Sequence, residues 1–445
     1  MKEKKIIIVI IILVIILGVL WYFMLRDNHT NNSNSSNNNS SKQEKQTSNS
    51  SSISYSSPKE VTKDETITDE NFESSKSDEN AILVSGDIKA TLSNISISKT
   101  GDSDGGDSTS FYGTNSAILA KDGANVTIKN ATIETNATGA NGVFSYGGSA
   151  KTNNTSSDGT TINISDSTIT TQKGNSGGIM TTGGGTTNAK NLTITTNGQS
   201  SAAIRSDRGG GTVNVDGGTY TTNGVGSPTI YSTAEITVKN AKLISTTSSG
   251  AIIEGKNSIT LENVELTDTN TKNVKSKTSK NIFIYQSMSG DAKEGVATFT
   301  AKDSTITTNK GDSIYVSNTS AIINLTNNKI INNDSTGYFL RAQKDSWGKE
   351  GSNGGKVTLN LTNQEVNGNI GVDEISSLTM NMKSSSFKGM IDAKDGEVKL
   401  TLDKSSIITL TGDSYITSIE NEDSTNSNIN LNGYKLYING TEFKK

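Results

Sequence analysis

One short pattern recurs along most of this 445-residue chain and limits its fold more than any other feature. Each copy has an apolar-x-apolar strand, an Asn or Asp two residues later, a strand of the type Thr-Ile-x-Thr, a polar turn and a third apolar strand. The marker falls at Asn130, Asp166, Asn191, Asp216, Asn240, Asn263, Asp303, Asn327 and Asn363. Repetition every 23 to 40 residues is typical of a solenoid. Three short strands leave no room for a helix, so the repeat predicts an all-β fold, a parallel β-helix.

Composition agrees with such a coil and excludes several classes of protein. The chain contains 43 Gly and only 2 Pro, which suits tight turns between strands that pair on both sides. Its net charge of -4 argues against a nucleic-acid partner, because phosphate binding needs clustered cations. The absence of Cys excludes disulfides and thiolate metal sites.

The N-terminal residues predict a membrane anchor. Residues 6–25 form an apolar run about 20 residues long, enough to span a bilayer as a helix. Lysines precede this run and aromatic residues end it, so residues 1–26 are expected to be a signal anchor with the rest of the chain extracellular. The alternative is a cleaved signal peptide. Residues 27–80, rich in Ser and Asn and then acidic, are expected to be a disordered linker.

Residues 81–445 are expected to form about eleven to twelve coils, with residues 398–445 as a divergent capping unit. The Asn and Asp markers fit a tight turn between the first and second strands of each coil. These side chains tolerate left-handed backbone geometry and can hydrogen-bond along the stack. We therefore interpret this column as structural rather than chemical.

Insertions and an apolar stripe predict a working face. Gly-, Ser- and Lys-rich insertions at 99–116, 147–160, 267–280, 286–296 and 342–356 leave the rod beside the third strand. The expected outward positions of that strand are Leu119, Phe144, Met180, Arg205, Tyr231, Ile253, Ile284, Tyr315 and Leu340. Aromatic faces in such a stripe could stack on sugar rings. Two alternatives stay open: the insertions fold back over the stripe, or the strand phase is off by one residue.

Two charged groups are candidate ligand sites. Arg205 and Arg208 flank Asp207, and a guanidinium pair could clamp the carboxylate of an acidic sugar. The alternative is an internal Arg–Asp pair. Asp102, Asp104 and Asp107 resemble part of a calcium loop, although the bidentate Glu is missing, and a solvated loop is the alternative.

A resemblance adds to this interpretation. Residues 224–266, 410–423 and 430–441 contain the coil pattern GVGSPTIYSTAEITVKNAKLISTTSSGAIIEGKNSITLENVEL and the terminal LTGDSYITSIENED and NLNGYKLYINGT. Residues 81–445 resemble the right-handed parallel β-helix of pectate-lyase-like proteins, and look most like anchored bacterial surface proteins of the carbohydrate-binding or adhesin-like type. The resemblance implies extracellular glycan binding, sometimes with calcium.

These observations lead to three expectations about function. The first is a membrane-anchored, non-catalytic protein that binds polysaccharide or cell-surface glycan. The second is an adhesive rod that binds a protein partner. The third is a calcium-dependent polysaccharide lyase or glycoside hydrolase, although the sole His, His29, lies in the expected linker and the chain lacks the Asp clusters and His of the catalytic branches.

Overall fold

Short parallel strands, stacked in three columns, make up nearly all of the described chain. The computed structural model describes residues 53–103, 106–149, 156–271 and 279–444. The predicted membrane segment at 6–25 lies outside these residues, as does the linker up to residue 52. Within the described ranges, no helix has both the length and the apolar character needed to cross a bilayer.

Each coil contributes one strand to each of three faces, which we name after the first, second and third strands of the repeat. The first face contains Glu65–Thr68, Lys89–Ser93, Asn125–Lys129, Thr161–Ser165, Glu235–Lys239, Ser258–Glu262, Val296–Lys302, Thr319–Thr326, Gly355–Thr362, Ser377–Lys383, Glu397–Leu402 and Ser418–Asn421. The second face contains Asn71–Ser74, Ser96–Lys99, Thr132–Thr135, Thr168–Thr171, Lys242–Ser245, Glu265–Asp268, Thr305–Thr308, Lys329–Asn332, Glu365–Asn367, Ser386–Gly389, Ile407–Leu410 and Ile429–Asn430. Two longer strands, Gly185–Thr196 and Gly211–Thr222, cross the corner and belong to both faces.

The third face completes each coil. It contains Lys59–Val61, Ile82–Ser85, Ile118–Lys121, Val143–Tyr146, Ile179–Thr182, Ile204–Ser206, Ile230–Ser232, Ala251–Glu254, Lys280–Tyr285, Asp312–Ser317, Leu340–Ala342, Ile370–Val372, Ile391–Asp392, Ser414–Ile416 and Leu436–Ile438. A short helix, α1 (Asp107–Tyr112), lies in the first insertion, and Thr441–Glu442 follows the last coil.

In the core, apolar side chains at equivalent positions of successive coils stack on one another. Ile128 pairs in parallel register with Ile164, and Val143 pairs with Ile179. All four side chains are at most 2% exposed. Each such burial removes apolar surface from water and stabilises the fold by roughly 1.5–3 kcal/mol. The parallel β-helix predicted from the repeat is therefore the architecture of the described residues.

The Asn and Asp column forms the predicted turns. Eight of the nine markers have φ between 48° and 55°, the left-handed region. The exception is Asp216, where Gly217 takes that position with φ 77°. Side chains of the column hydrogen-bond from coil to coil, as Asn263 does to Asn240 at 2.8 Å and Asn327 to Asp303 at 2.6 Å. The column is a structural ladder.

The β-helix begins earlier and contains more coils than the sequence predicts. Strands start at Lys59 rather than near residue 81, within the segment expected to be linker. Val61, Ile67 and Phe72 are the inward residues of this coil, and they pair with Val84, Leu92 and Ile97 of the next. One apolar residue per strand among many charges gives too weak a pattern to detect. The third face has fifteen strands within the described residues, fourteen of them after residue 81, where eleven or twelve coils were expected.

The last coil ends in a hairpin. Leu436–Ile438 pairs with Thr441–Glu442 in the antiparallel sense, unlike the parallel pairs of the coils. Asn439 and Gly440 connect the strands with φ of 47° and 75°, the double left-handed geometry of a tight hairpin turn. The hairpin covers the open edge that a further parallel strand would otherwise extend.

Candidate functional site

The register of the third face corrects part of the predicted stripe. Phe144 pairs with Met180 and Arg205 pairs with Tyr231, so the outward column contains these residues as expected. Tyr315 is also outward as expected, but its partner is Phe283. Tyr231 pairs next with Ile252, which in turn pairs with Phe283. The outward residues of these coils are therefore Ile252, Phe283 and Arg341, and the predicted Ile253, Ile284 and Leu340 are buried in the core.

The strand phase predicted for these coils was wrong because apolar residues are adjacent in the sequence. In Ala251-Ile252-Ile253 and in Ile282-Phe283-Ile284, both alternate positions are apolar, so the sequence offers no polar partner to fix the phase. In the structure, Ile253 and Ile284 are the inward residues, and they pair with each other inside the coil.

The N-terminal part of the stripe is covered by the chain itself. Phe144 and Met180 are 0% exposed because Phe111 of α1 and neighbouring rings pack against them. Thr182 fixes the cover by donating a 2.8 Å hydrogen bond to the carbonyl of Phe111. Insertion 99–116 thus folds back over the stripe, and neither Phe144 nor Met180 offers a surface to a ligand.

Gly113 permits this close cover. It ends α1 in the left-handed conformation with φ 72°. A Cβ at this position would lie 2.8 Å from Cγ of Phe144 and 2.9 Å from Cδ1 of Leu119. Any other residue would push the insertion away from the stripe.

The far part of the stripe is covered by insertion 342–356. Tyr315 is 6% exposed, and its hydroxyl donates a 3.1 Å hydrogen bond to the carbonyl of Lys344. Lys280 lies 4.0 Å from the centre of the Tyr315 ring and forms an ion pair with Asp345 of the insertion. Tyr315 is therefore a packing residue beneath the insertion.

The middle of the stripe remains partly exposed. Arg205, Tyr231, Ile252 and Phe283 lie between the two covered parts, and each keeps some accessible surface. Within the predicted stripe, this short segment is the part that remains accessible to a ligand.

Both arginines form ion pairs with carboxylates of the protein. Arg205 pairs with Asp207 at 2.9 Å. Arg208 turns away to Asp291 at 2.8 Å and to Asp107 at 3.3 Å. Both guanidinium groups therefore already neutralise carboxylates of the protein, as in the alternative of an internal Arg–Asp pair, and the clamp for an acidic sugar stays a prediction.

A buried carboxylate lies beneath the exposed middle segment. Glu254 is 1% exposed and accepts hydrogen bonds from the hydroxyls of Tyr231, Tyr285 and Ser287, that of Tyr285 at 3.3 Å. The sequence pattern did not identify this cluster of Glu254, Tyr285 and Ser287. The alternation of the third face could have placed Tyr285 beside Glu254, since these residues pair in register.

Burial shapes the protonation of this cluster. It raises the pKa of Tyr231 well above 10.0, with the neighbouring Tyr285 and Glu254 acting in the same direction. Burial likewise raises the pKa of Tyr285. Burial raises the pKa of Asp207 above 3.8, against the opposing effect of Arg205. Both phenols therefore stay protonated and donate to Glu254 over the ordinary pH range.

An aromatic cluster joins this network to the surface. The rings of Phe283 and Tyr285 stack with centroids 4.5 Å apart, and Trp347 lies 5.8 Å from Tyr285. Trp347 is 40% exposed. Asn353 holds the insertion in shape by donating 2.9 Å hydrogen bonds to the carbonyls of Asp345 and Trp347. We name Phe283, Tyr285, Tyr315 and Trp347 the Trp347 cluster.

Two of the three predicted calcium residues, Asp102 and Asp107, have partners within the protein. Asp102 accepts hydrogen bonds from the Thr138 amide at 2.7 Å and from Lys173 at 3.0 Å. Asp107 begins α1 and pairs with Arg208. Asp104 lies outside the described residues, and within the described ranges no group of three or more acidic or His side chains could hold a metal ion.

No family model, no curated protein and no solved structure matches this chain. The function therefore has to be argued from the site itself. The resemblance to pectate-lyase-like and adhesin-like proteins stays an expectation.

Proposed function

We propose that this protein binds polysaccharide or cell-surface glycan through the Trp347 cluster, without catalysis. The observation that carries the proposal is the exposed indole of Trp347, which lies tilted against the buried ring of Tyr285 beside the uncovered middle of the third face. A flat aromatic face open to solvent is the surface on which a pyranose ring stacks.

The cluster is ordered before any ligand arrives. Asn353 fixes the backbone of the insertion at two carbonyls, and Lys280 pairs with Asp345 at its base. Ordering in advance reduces the entropy lost on binding. An ordered insertion that leaves the Trp347 side chain 40% exposed therefore supports ligand binding, because a side chain that served packing alone would be buried.

The chemistry of the neighbouring charges supports a neutral glycan. Arg205 and Arg208 are already neutralised by Asp207, Asp291 and Asp107. The remaining carboxylate, Glu254, is held by hydroxyl donors rather than by cations. An acidic sugar would meet no free cation among these residues.

The same contacts favour binding over acid–base catalysis at Glu254. A catalytic carboxyl group must reach the proton it transfers. Both Glu254 oxygens already accept hydrogen bonds from the protein, and the side chain is 1% exposed. The extracellular location and the membrane anchor at residues 6–25 are part of this proposal.

Retention of the full-length protein on immobilised neutral glycans tests the proposal. We expect Trp347→Ala to weaken retention about tenfold, and Trp347→Phe to keep most of it, because a ring remains. Ile407→Ala is the matched control, since Ile407 is an exposed apolar residue of the second face at 49%. Equal retention of Trp347→Ala and Ile407→Ala would contradict the proposal.

A further inference from the structure

The last coils carry a second aromatic feature on the third face, away from the Trp347 cluster. Tyr415 and Tyr437 occupy paired positions on neighbouring coils, and their rings stack with centroids 5.0 Å apart and planes 8° apart. Both side chains remain partly exposed. Unlike Phe144 and Tyr315, they have no insertion above them, because the last insertion ends at residue 356.

These tyrosines form one wall of a cleft of about 430 Å³ at the corner that follows the third strands. Lys394, Asp395, Gly396 and Thr417 also line this cleft. A second cleft of about 380 Å³ shares Asp395, Gly396 and Thr417 with it. The two clefts thus make one groove along the rod.

The closing hairpin builds the end of this groove. Asn439 and Gly440 form its tight turn, and the Asn439 amide donates a 2.9 Å hydrogen bond to the carbonyl of Ile416 on the preceding coil. This bond holds Tyr437 over Tyr415. The hairpin therefore shapes a cleft as well as closing the coil.

The rim of the groove carries both charge signs in near balance. Glu374 pairs with Lys344 and Glu397 pairs with Lys399, each at 2.7 Å. Lys356, Lys394 and Asp395 complete the charged lining. A polyanion would be repelled by Asp395. An apolar protein segment would remove water from these charges without replacing its hydrogen bonds, which is unfavourable. A ligand rich in neutral hydroxyl groups can hydrogen-bond to both signs.

We propose that this groove, with Tyr415 and Tyr437 as its stacking platform, is a second carbohydrate subsite for a neutral polysaccharide. The inference deepens the proposed function and rests on it for the class of ligand. The groove spans five coils, or roughly 19 Å between its outer strands, which suits an extended polymer. Two subsites on one rod would raise retention of a polymer above that of a short oligosaccharide.

The test uses the full-length protein with a soluble neutral β-glucan and with polygalacturonate as the anionic counterpart. Tyr437→Leu removes the ring and keeps apolar bulk, and Tyr437→Trp restores a ring. Tyr434→Ala is the matched control, because Tyr434 is 42% exposed on the same coil and does not line the groove. We expect Tyr437→Leu to weaken retention by the β-glucan at least fivefold, with Tyr437→Trp and Tyr434→Ala near the wild type.

The outcomes separate the two proposals. If adding Tyr437→Leu to the Trp347→Ala variant weakens retention further, the groove is supported. This holds even if Trp347→Ala alone leaves retention unchanged. Loss with Trp347→Ala and none with Tyr437→Leu overturns the groove and leaves the Trp347 site standing. A wild type that binds only polygalacturonate, or neither polymer, overturns both. Thermal melting of each variant identifies a retention loss caused by unfolding, and Tyr415→Leu then replaces Tyr437→Leu as the decisive variant.

Discussion

The guanidinium of Arg208 lies 4.0 Å from the centre of the Phe111 ring, and so joins the turn after a mid-rod strand to the helix of the first insertion. Arg208 also binds Asp107 at the start of that helix and Asp291 of a second insertion. One side chain thus ties two insertions to the coil, and it contributes to the cover over Phe144 and Met180.

Replacing Arg208 should loosen this cover. We expect Arg208→Ala to lower the free energy of unfolding by about 1–2 kcal/mol, through the lost cation–π contact and ion pairs. Hydrogen exchange should accelerate in residues 107–113 and binding of an apolar dye should rise. Lys76→Ala is the control, because Lys76 is 79% exposed in its ion pair with Glu79. Unchanged exchange in α1 would show that the helix is held by Phe111 alone.

Removing a phenol beside Glu254 should destabilise the rod. Tyr231→Phe deletes one donor to a buried carboxylate, so we expect a loss of about 1–3 kcal/mol. Tyr285→Phe should cost less, because its hydrogen bond to Glu254 is long at 3.3 Å. Chemical denaturation of both variants compares the two losses. If Tyr285→Phe proved the more harmful change, the hydroxyl of Tyr231 would not be the main donor.

Asp268 should make stability depend on pH. This side chain is 0% exposed, and burial raises its pKa from 3.8 to about 6, against the hydrogen bond from the Asn270 amide. The folded state then holds the proton more tightly than the unfolded state. Its stabilising contribution is full below pH 3.8 and is lost as the pH rises to about 6.

Asp268→Asn isolates this effect, because the amide stays neutral at every pH. The gain in unfolding free energy of the variant over the wild type should grow between pH 4 and pH 6 and then level off, at roughly 2–3 kcal/mol. Urea denaturation at several pH values measures the difference and cancels the contribution of other carboxylates. A difference that stayed constant with pH would mean that folding does not raise the pKa of Asp268.

The sequence predicts the stacked core well because its signal is repeated and local. Ile128 and Ile164 occupy the same place in successive copies of one pattern, so stacking one on the other follows directly. Alignment of the repeats also predicts that Phe144, Arg205 and Tyr231 lie in one outward column, as they do. It failed at Ile253 and Ile284, where neighbouring apolar residues remove the alternation that fixes the phase.

The site was harder to predict because it depends on insertions that lack the repeat. Phe111 covers the stripe and Trp347 extends it, yet neither belongs to a periodic strand. A weak signal existed for Trp347, since it is the one Trp outside the apolar N-terminal run. Contacts such as that between Arg208 and Asp291, 83 residues apart, follow from tertiary packing and leave no local pattern.

Trp347 emission gives the most direct test of the central claim, since the chain has only two Trp residues and Trp21→Phe leaves Trp347 as the sole reporter. We predict a saturable change in its emission when the full-length Trp21→Phe protein is titrated with a neutral β-glucan. Retention of the same glucan with no change in Trp347 emission would contradict the account, as would the absence of any glycan binding.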